Sequence, residues 1–164
     1  MIKTMTRLLL VACLVLPFAA CKKAEAPQQA EKPPMSAPKT EDRQAWVDYL
    51  NDVVPRNMAG ISNQPYVYFL PGESASDFED QYVRLLEKAQ TDVARGIISG
   101  NMLAYASPAS ARMGDLVVNA FTGVPEGSMK GVRVVFIGKA ADGERVKAAV
   151  EPAGVEYVFV DTDK

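Results

Sequence analysis

The chain is 164 residues long, with 18 Lys and Arg against 20 Asp and Glu, a formal net charge of −2 and no His. That balance carries no basic excess for gripping a phosphate backbone, so a nucleic-acid role is disfavoured. Its two cysteines, Cys13 and Cys21, both fall within the first 21 residues, so whatever folds beyond them has no thiol, no disulfide, no histidine base and no Cys/His metal ligand.

The N-terminus opens with Lys3 and Arg7, followed by an apolar run from Leu8 to Ala20 broken only by Pro17. A membrane-spanning helix needs about 20 apolar residues. This run has 13 and ends in the small residues Ala19 and Ala20 directly before Cys21, the layout of a cleaved secretory signal. On Phe18-Ala19-Ala20-Cys21 the segment resembles the signal of bacterial lipoproteins, with Phe18 where that class usually has Leu. The resemblance covers the leader alone. It implies cleavage before Cys21, diacylation of the Cys21 sulfur and acylation of the new amino group. Leu10-Val11-Ala12-Cys13 matches by letter, but only Leu8 to Ala12 would then form the apolar core, short of the roughly 7–15 residues such a core needs. Lys22, not Asp, follows Cys21. Within the class, Asp there signals inner-membrane retention, so the resemblance implies the outer membrane.

Residues 22–39 read KKAEAPQQAEKPPMSAPK, with four Pro and no apolar periodicity. They predict a disordered, partly extended tether, reaching at most about 60 Å at roughly 3.3 Å per residue. The tether nets +2, whereas residues 40–164 hold 12 Lys and Arg against 18 Asp and Glu, a net of −6. The expected organisation is a signal peptide over 1–20, a lipidated Cys21 with its tether over 21–39, and one domain over 40–164.

Within that domain helices and strands alternate. A helix over about 41–54 carries Trp46, Tyr49, Leu50 and Val53 and stops at Pro55. Apolar runs at 66–70, 101–106, 132–137 and 156–160 read as strands, and their near-continuous hydrophobicity indicates burial on both faces, hence a parallel sheet. Between them, Ser76 and Glu79 have capping-box spacing ahead of a helix that Gly96 ends. Ser107-Pro108 opens the next helix, and Asp142 caps a last one stopped by Pro152 and Gly154. The expected fold is α/β: a small three-layer sandwich with a four-stranded, mainly parallel sheet, strand order 2-1-3-4 and helices on both faces.

In such sheets ligands gather at the carboxyl ends of the strands. Three loops would meet there, at 71–74, 107–110 and 138–142, with Ser107, Ser110 and Lys139 as candidate donors to a small anion. The same residues also serve as helix caps and loop closures, the commoner role. No G-x-G-x-x-G, Walker motif or G-x-S-x-G occurs, and a Ser107–Lys139 nucleophile pair would require the two loops to touch. The carboxylates of Glu156, Asp161 and Asp163 are too few for calcium and read as solvated end charges. Tyr66, Tyr68, Trp46 and Tyr49 are core residues or interface anchors. No catalytic residue, cofactor or metal ligand is expected. The expected function is a membrane-anchored, non-catalytic module that binds or assembles with an envelope protein. The alternative is a metabolite- or small-anion-binding protein or hydrolase using the strand-end loops.

Overall fold

The computed structural model describes residues 33–164. The leader, Cys21 and the first part of the proline-rich stretch lie outside the described residues. One compact unit, Pro33–Lys164, holds the fold. Its elements are α1 (Arg43–Arg56), β1 (Tyr66–Phe69), α2 (Phe78–Ala94), β2 (Met102–Ala106), α3 (Ser110–Ala120), β3 (Arg133–Gly138), α4 (Ala140–Val150), a 3-10 turn at Glu151–Ala153, and β4 (Glu156–Asp161). The four strands form one all-parallel sheet.

The strands are ordered β1-β2-β3-β4, which corrects the 2-1-3-4 order expected from the sequence. When each parallel strand is laid beside the previous one in the same direction, right-handed crossovers put every connecting helix on the same face. The core follows that rule. Leu103, Tyr105, Val134 and Phe136 pack with α2, α3 and α4 in one cluster. Met102, Ala104, Ala106, Val135 and Ile137 face the other way and pack only with α1 and its flanking segments. The sandwich is therefore asymmetric, with three helices on one side of the sheet and one on the other.

α1 is suited to covering a whole face alone. Asp42 caps it by accepting from the Ala45 N–H at 2.7 Å. Trp46, Tyr49, Leu50, Val53 and Val54 form a buried stripe. The Trp46 ring meets Tyr49 edge to face at 5.9 Å and Phe69 of β1 at 6.1 Å. Ala104 and Ala106 keep the centre of this face shallow, leaving room for those rings. Residues 33–39, assigned to the tether by composition, have no helix or strand but lie along α1. Met35 N–H donates to Asp52, Arg56 donates to Pro33 O, Lys39 Nζ donates to Thr162 O, and Ala37 is buried in the α1 cluster. At the other end of α1, Arg133 donates to Asn57 O and Ala59 O and forks onto the Glu156 carboxylate at 3.0 and 2.8 Å. One guanidinium thus joins α1 to β3 and β4.

Helix starts are where the sequence reading shifts. α2 has Asp77 at its N-cap with no side-chain cap bond, so the Ser76–Glu79 capping box does not form. The preceding loop is drawn to α1 instead, where the Glu41 carboxylate takes both the backbone N–H and the hydroxyl of Ser74. A Cβ at Gly72 would collide with that carboxylate. Gly96, at φ +85, does end α2, its N–H donating to Val93 O.

Tyr68 and Tyr105 stack at 4.6 Å in the three-helix core. Tyr68 donates to Asp92 at 2.8 Å, whereas the fully buried Tyr105 hydroxyl has no partner among the described residues. Burial first, then Asp92, pushes the Tyr105 phenol well above 10.0. Burial, Tyr105 and Asp92 do the same to Tyr68. Burial with Glu144 and Glu151 brings Tyr157 up to about 12.

These observations lead to two expectations. Trp46→Ala should cost about 3–5 kcal/mol in urea unfolding, against about 0.5 kcal/mol or less for an exposed apolar site such as Val83→Ala. Raised tyrosine pKa values mean that the unfolded chain loses those protons first. Their stabilisation is complete below about 10 and is lost as pH climbs through the folded values, about 12 for Tyr157. Tyr157→Phe should flatten that alkaline loss. Tyr105→Phe should be neutral or stabilise at pH 7 by about 1 kcal/mol, because the hydroxyl it removes is buried and unpaired.

Candidate functional site

The three loops at the carboxyl ends of the strands do meet, but they meet each other. Ser107 directly follows β2 and is buried. Its Oγ accepts from Ala109 N–H at 2.9 Å and donates to Pro71 O at 3.4 Å. The hydroxyl thereby closes the β2–α3 turn and ties it to the β1–α2 loop. That also explains why α3 starts at Ser110: Ser107 bonds two residues ahead in a local turn and does not cap the helix.

Ser110 opens α3 and is buried as well. Its Oγ accepts from Lys139 N–H at 2.8 Å and donates to Asp142 Oδ2 at 2.7 Å. Gly138 makes this approach possible, since a Cβ there would lie 2.6 Å from Ser110 Oγ and 2.8 Å from the Phe136 ring. Lys139 is the N-cap residue of α4, in extended backbone at φ −83 and ψ 149, and is exposed. Ser110 and Lys139 are therefore brought together, but through the lysine's backbone N–H. Ser107 bonds to Pro71 and Ala109, not to Lys139.

Asp142 does not cap α4 as expected. It lies inside the first turn and turns its carboxylate toward α3. Arg145, one turn later, donates to Asp142 Oδ1 through Nε at 3.2 Å and Nη2 at 3.0 Å, to Ala111 O at 2.6 Å, and pairs with Asp115. A Cβ at Gly114 would lie 2.6 Å from Arg145 Nη2, so the guanidinium crosses α3 where that helix has no side chain. Burial works against the Arg145 charge, yet bonds to Asp115 and Asp142 outweigh it and raise its pKa. This Ser110–Asp142–Arg145–Asp115 chain escaped the sequence reading. The Asp142/Arg145 spacing of three was its only local trace.

The Asp142 carboxylate already occupies the favourable position in the first turn of α4. The depression at the start of α2, about 280 Å³, is lined by Glu73, Asp77, Glu79 and Asp80. The larger grooves lie elsewhere. One of about 530 Å³ sits between the carboxyl ends of α2 and α3, against Val93, Ala120 and Met129. Others flank β1. Among the described residues no group of three or more Asp or Glu is placed to hold a metal ion, and no helix is long and apolar enough to cross a membrane.

Ser110→Ala should lower stability by about 1–3 kcal/mol, because it strips a donor from buried Asp142 and an acceptor from Lys139 N–H. Lys139→Ala should change it by less than about 0.5 kcal/mol. Urea titration of both variants checks the contrast, and equal effects would contradict the assignment of Ser110 as the structural member of the pair.

No protein-family model, no curated protein and no solved structure matches this chain.

Proposed function

We propose that the chain is an envelope lipoprotein, anchored through lipid on Cys21 and directed to the outer membrane, whose α/β domain binds or assembles with another envelope protein without catalysis. The observation that carries this reading is the sequential strand order. Ligand crevices in open α/β sheets form where the strand order reverses and neighbouring loops diverge to opposite faces. A β1-β2-β3-β4 sheet has no such point. Its three strand-end loops run to the same side and are hydrogen-bonded to one another through Ser107 and Ser110. With the candidate hydroxyls engaged by the domain's own backbone and by the Asp142 carboxylate, the surface is the part left for recognition. A flexible lead to a membrane would raise the effective concentration of a binder near partners in the same layer, which gives the anchor a purpose without chemistry.

Cys21→Ser should abolish labelling by a radioactive fatty acid, and continued labelling would place the lipid elsewhere. Crosslinking in intact envelopes should capture the same partner with Ser107→Ala and Lys139→Ala as with the unaltered chain. Turnover of an envelope metabolite that Lys139→Ala removes would instead establish the enzyme reading.

A further inference from the structure

β1 forms one edge of the sheet, its sole strand neighbour among the described residues being β2. Leu70 N–H donates to Ala106 O. Backbone groups alternate along a strand, so Tyr66 and Tyr68 turn theirs toward β2, while Val67 and Phe69 turn theirs outward. Among the described residues the outer side of β1 thus presents an unused half-ladder, the template to which another chain can add. Tyr66 and Val67 are 38% and 44% exposed, so this edge is open at the side chains as well.

The charges around the edge say what would fit. Arg43 stands over the Phe69 ring at 5.9 Å on the α1 side. Lys88 stands over Tyr66 and Tyr68 at 5.9 and 5.0 Å on the α2 side. Arg84 joins Lys88, Leu85 and Phe69 around a depression of about 460 Å³, whose one carboxylate, Asp77, accepts from the Gln81 side chain. Arg43 and Arg84 make no ion pair among the described residues, and Lys88 shares its charge with Asp92. Three cations along one edge run against a domain whose residues 40–164 net −6. Near the start of β1, Tyr66 and the 73% exposed Ile98 line a second depression of about 650 Å³. The opposite edge is different. β4 begins and ends in Glu156 and Asp161, and Lys39 reaches over to Thr162 O beside it. A second copy of β1 is a poor occupant, because a two-fold edge pairing would set Lys88 against Lys88 and Arg84 against Arg84.

We propose that the β1 edge docks an extended acidic segment of a partner protein as a fifth strand. Its main chain bonds to Val67 and Phe69, alternate carboxylates face Lys88 and Arg84, and an apolar side chain enters the Tyr66–Ile98 depression. The proposal rests on the binding-module reading and deepens it by naming the surface and the chemistry of the partner.

The probe is a fluorescein-labelled seven-residue peptide of alternating Val and Glu, titrated against the full-length chain in detergent micelles. The acidic peptide should bind at least about ten-fold more tightly than its Val/Lys counterpart, and Arg84→Glu with Lys88→Glu should weaken it by about the same factor. N-methylation of alternate peptide amides should abolish binding. In amide exchange, Val67 and Phe69 should gain protection on binding while Tyr66 and Tyr68 stay unchanged. Arg84 and Lys88 are exposed, and an unaltered thermal melt of the double variant would show that any loss is one of binding. Equal binding of the two peptides, indifference to N-methylation, or unprotected Val67 and Phe69 would overturn the proposal. So would self-association of the chain that protects the same two amides. Those results leave the binding-module reading standing, since that reading is judged separately by envelope crosslinking.

Discussion

A parallel sheet whose strands follow one another in sequence order has only one way to distribute its helices. Each right-handed crossover returns the chain on the same side, so α2, α3 and α4 all cover one face, and the opposite face, with Met102, Ala104, Ala106, Val135 and Ile137, depends on whatever else the chain can supply. Here it is α1, a single helix preceding the first strand. The rest of the architecture accommodates that constraint. The uncovered face is made shallow by two alanines, and the covering helix carries the one Trp of the chain in its first turn. Polar connections fix both ends of the helix, Glu41 to Ser74 at one and Arg133 to the Asn57 and Ala59 carbonyls at the other. Residues 33–39 extend the cover with Ala37.

The same constraint governs the strand ends. Without a reversal of strand order, the loops after β1, β2 and β3 all turn toward the three-helix face and crowd together. Their polar groups are then satisfied mutually, Ser107 with Pro71, and Ser110 with Lys139 and Asp142. Buried hydroxyls and carboxylates need such partners, since an unmet one costs about 1–3 kcal/mol. The Ser107 and Ser110 hydroxyls are thereby taken up within the fold. Both faces of the sheet are covered and its strand-end loops are hydrogen-bonded to one another. Among the described residues, β1 is the edge where open backbone coincides with Arg43 and Arg84, which make no ion pair, and with Lys88, which is paired to Asp92.

Much of this was legible in the residues, and the parts that were not share a cause. The four strands stand out because β2 and β3 are buried on both faces and so read as unbroken apolar runs. The helices declare themselves through 3.6-residue periodicity, and Gly96 and Gly154 stop their segments as expected. Lateral strand order leaves no periodic trace, so 2-1-3-4 and 1-2-3-4 are indistinguishable until long-range contacts form. Cap residues mislead for a related reason. Ser76, Ser107 and Asp142 sit at cap-like spacings, but Asp142 is claimed by Ser110, 32 residues away in the chain, while Ser107 accepts from Ala109 N–H in a local turn. The loop holding Ser76 is drawn instead to Glu41. Tertiary partners outcompete the local helix end, and a sequence offers those partners only as isolated polar letters.

The central claim is that α1 is an integral layer of the domain, without which the second sheet face would be bare. Native-state amide exchange on the full chain tests it most directly. Exchange of Tyr49, Leu50 and Val53 in α1 should proceed through the same global opening, with the same free energy and denaturant dependence, as that of Leu103 and Val134 in the central strands. Exchange of the α1 amides through a separate opening, on the order of 2 kcal/mol or more below the strands, would show that the sheet stands without its cover and would contradict the account.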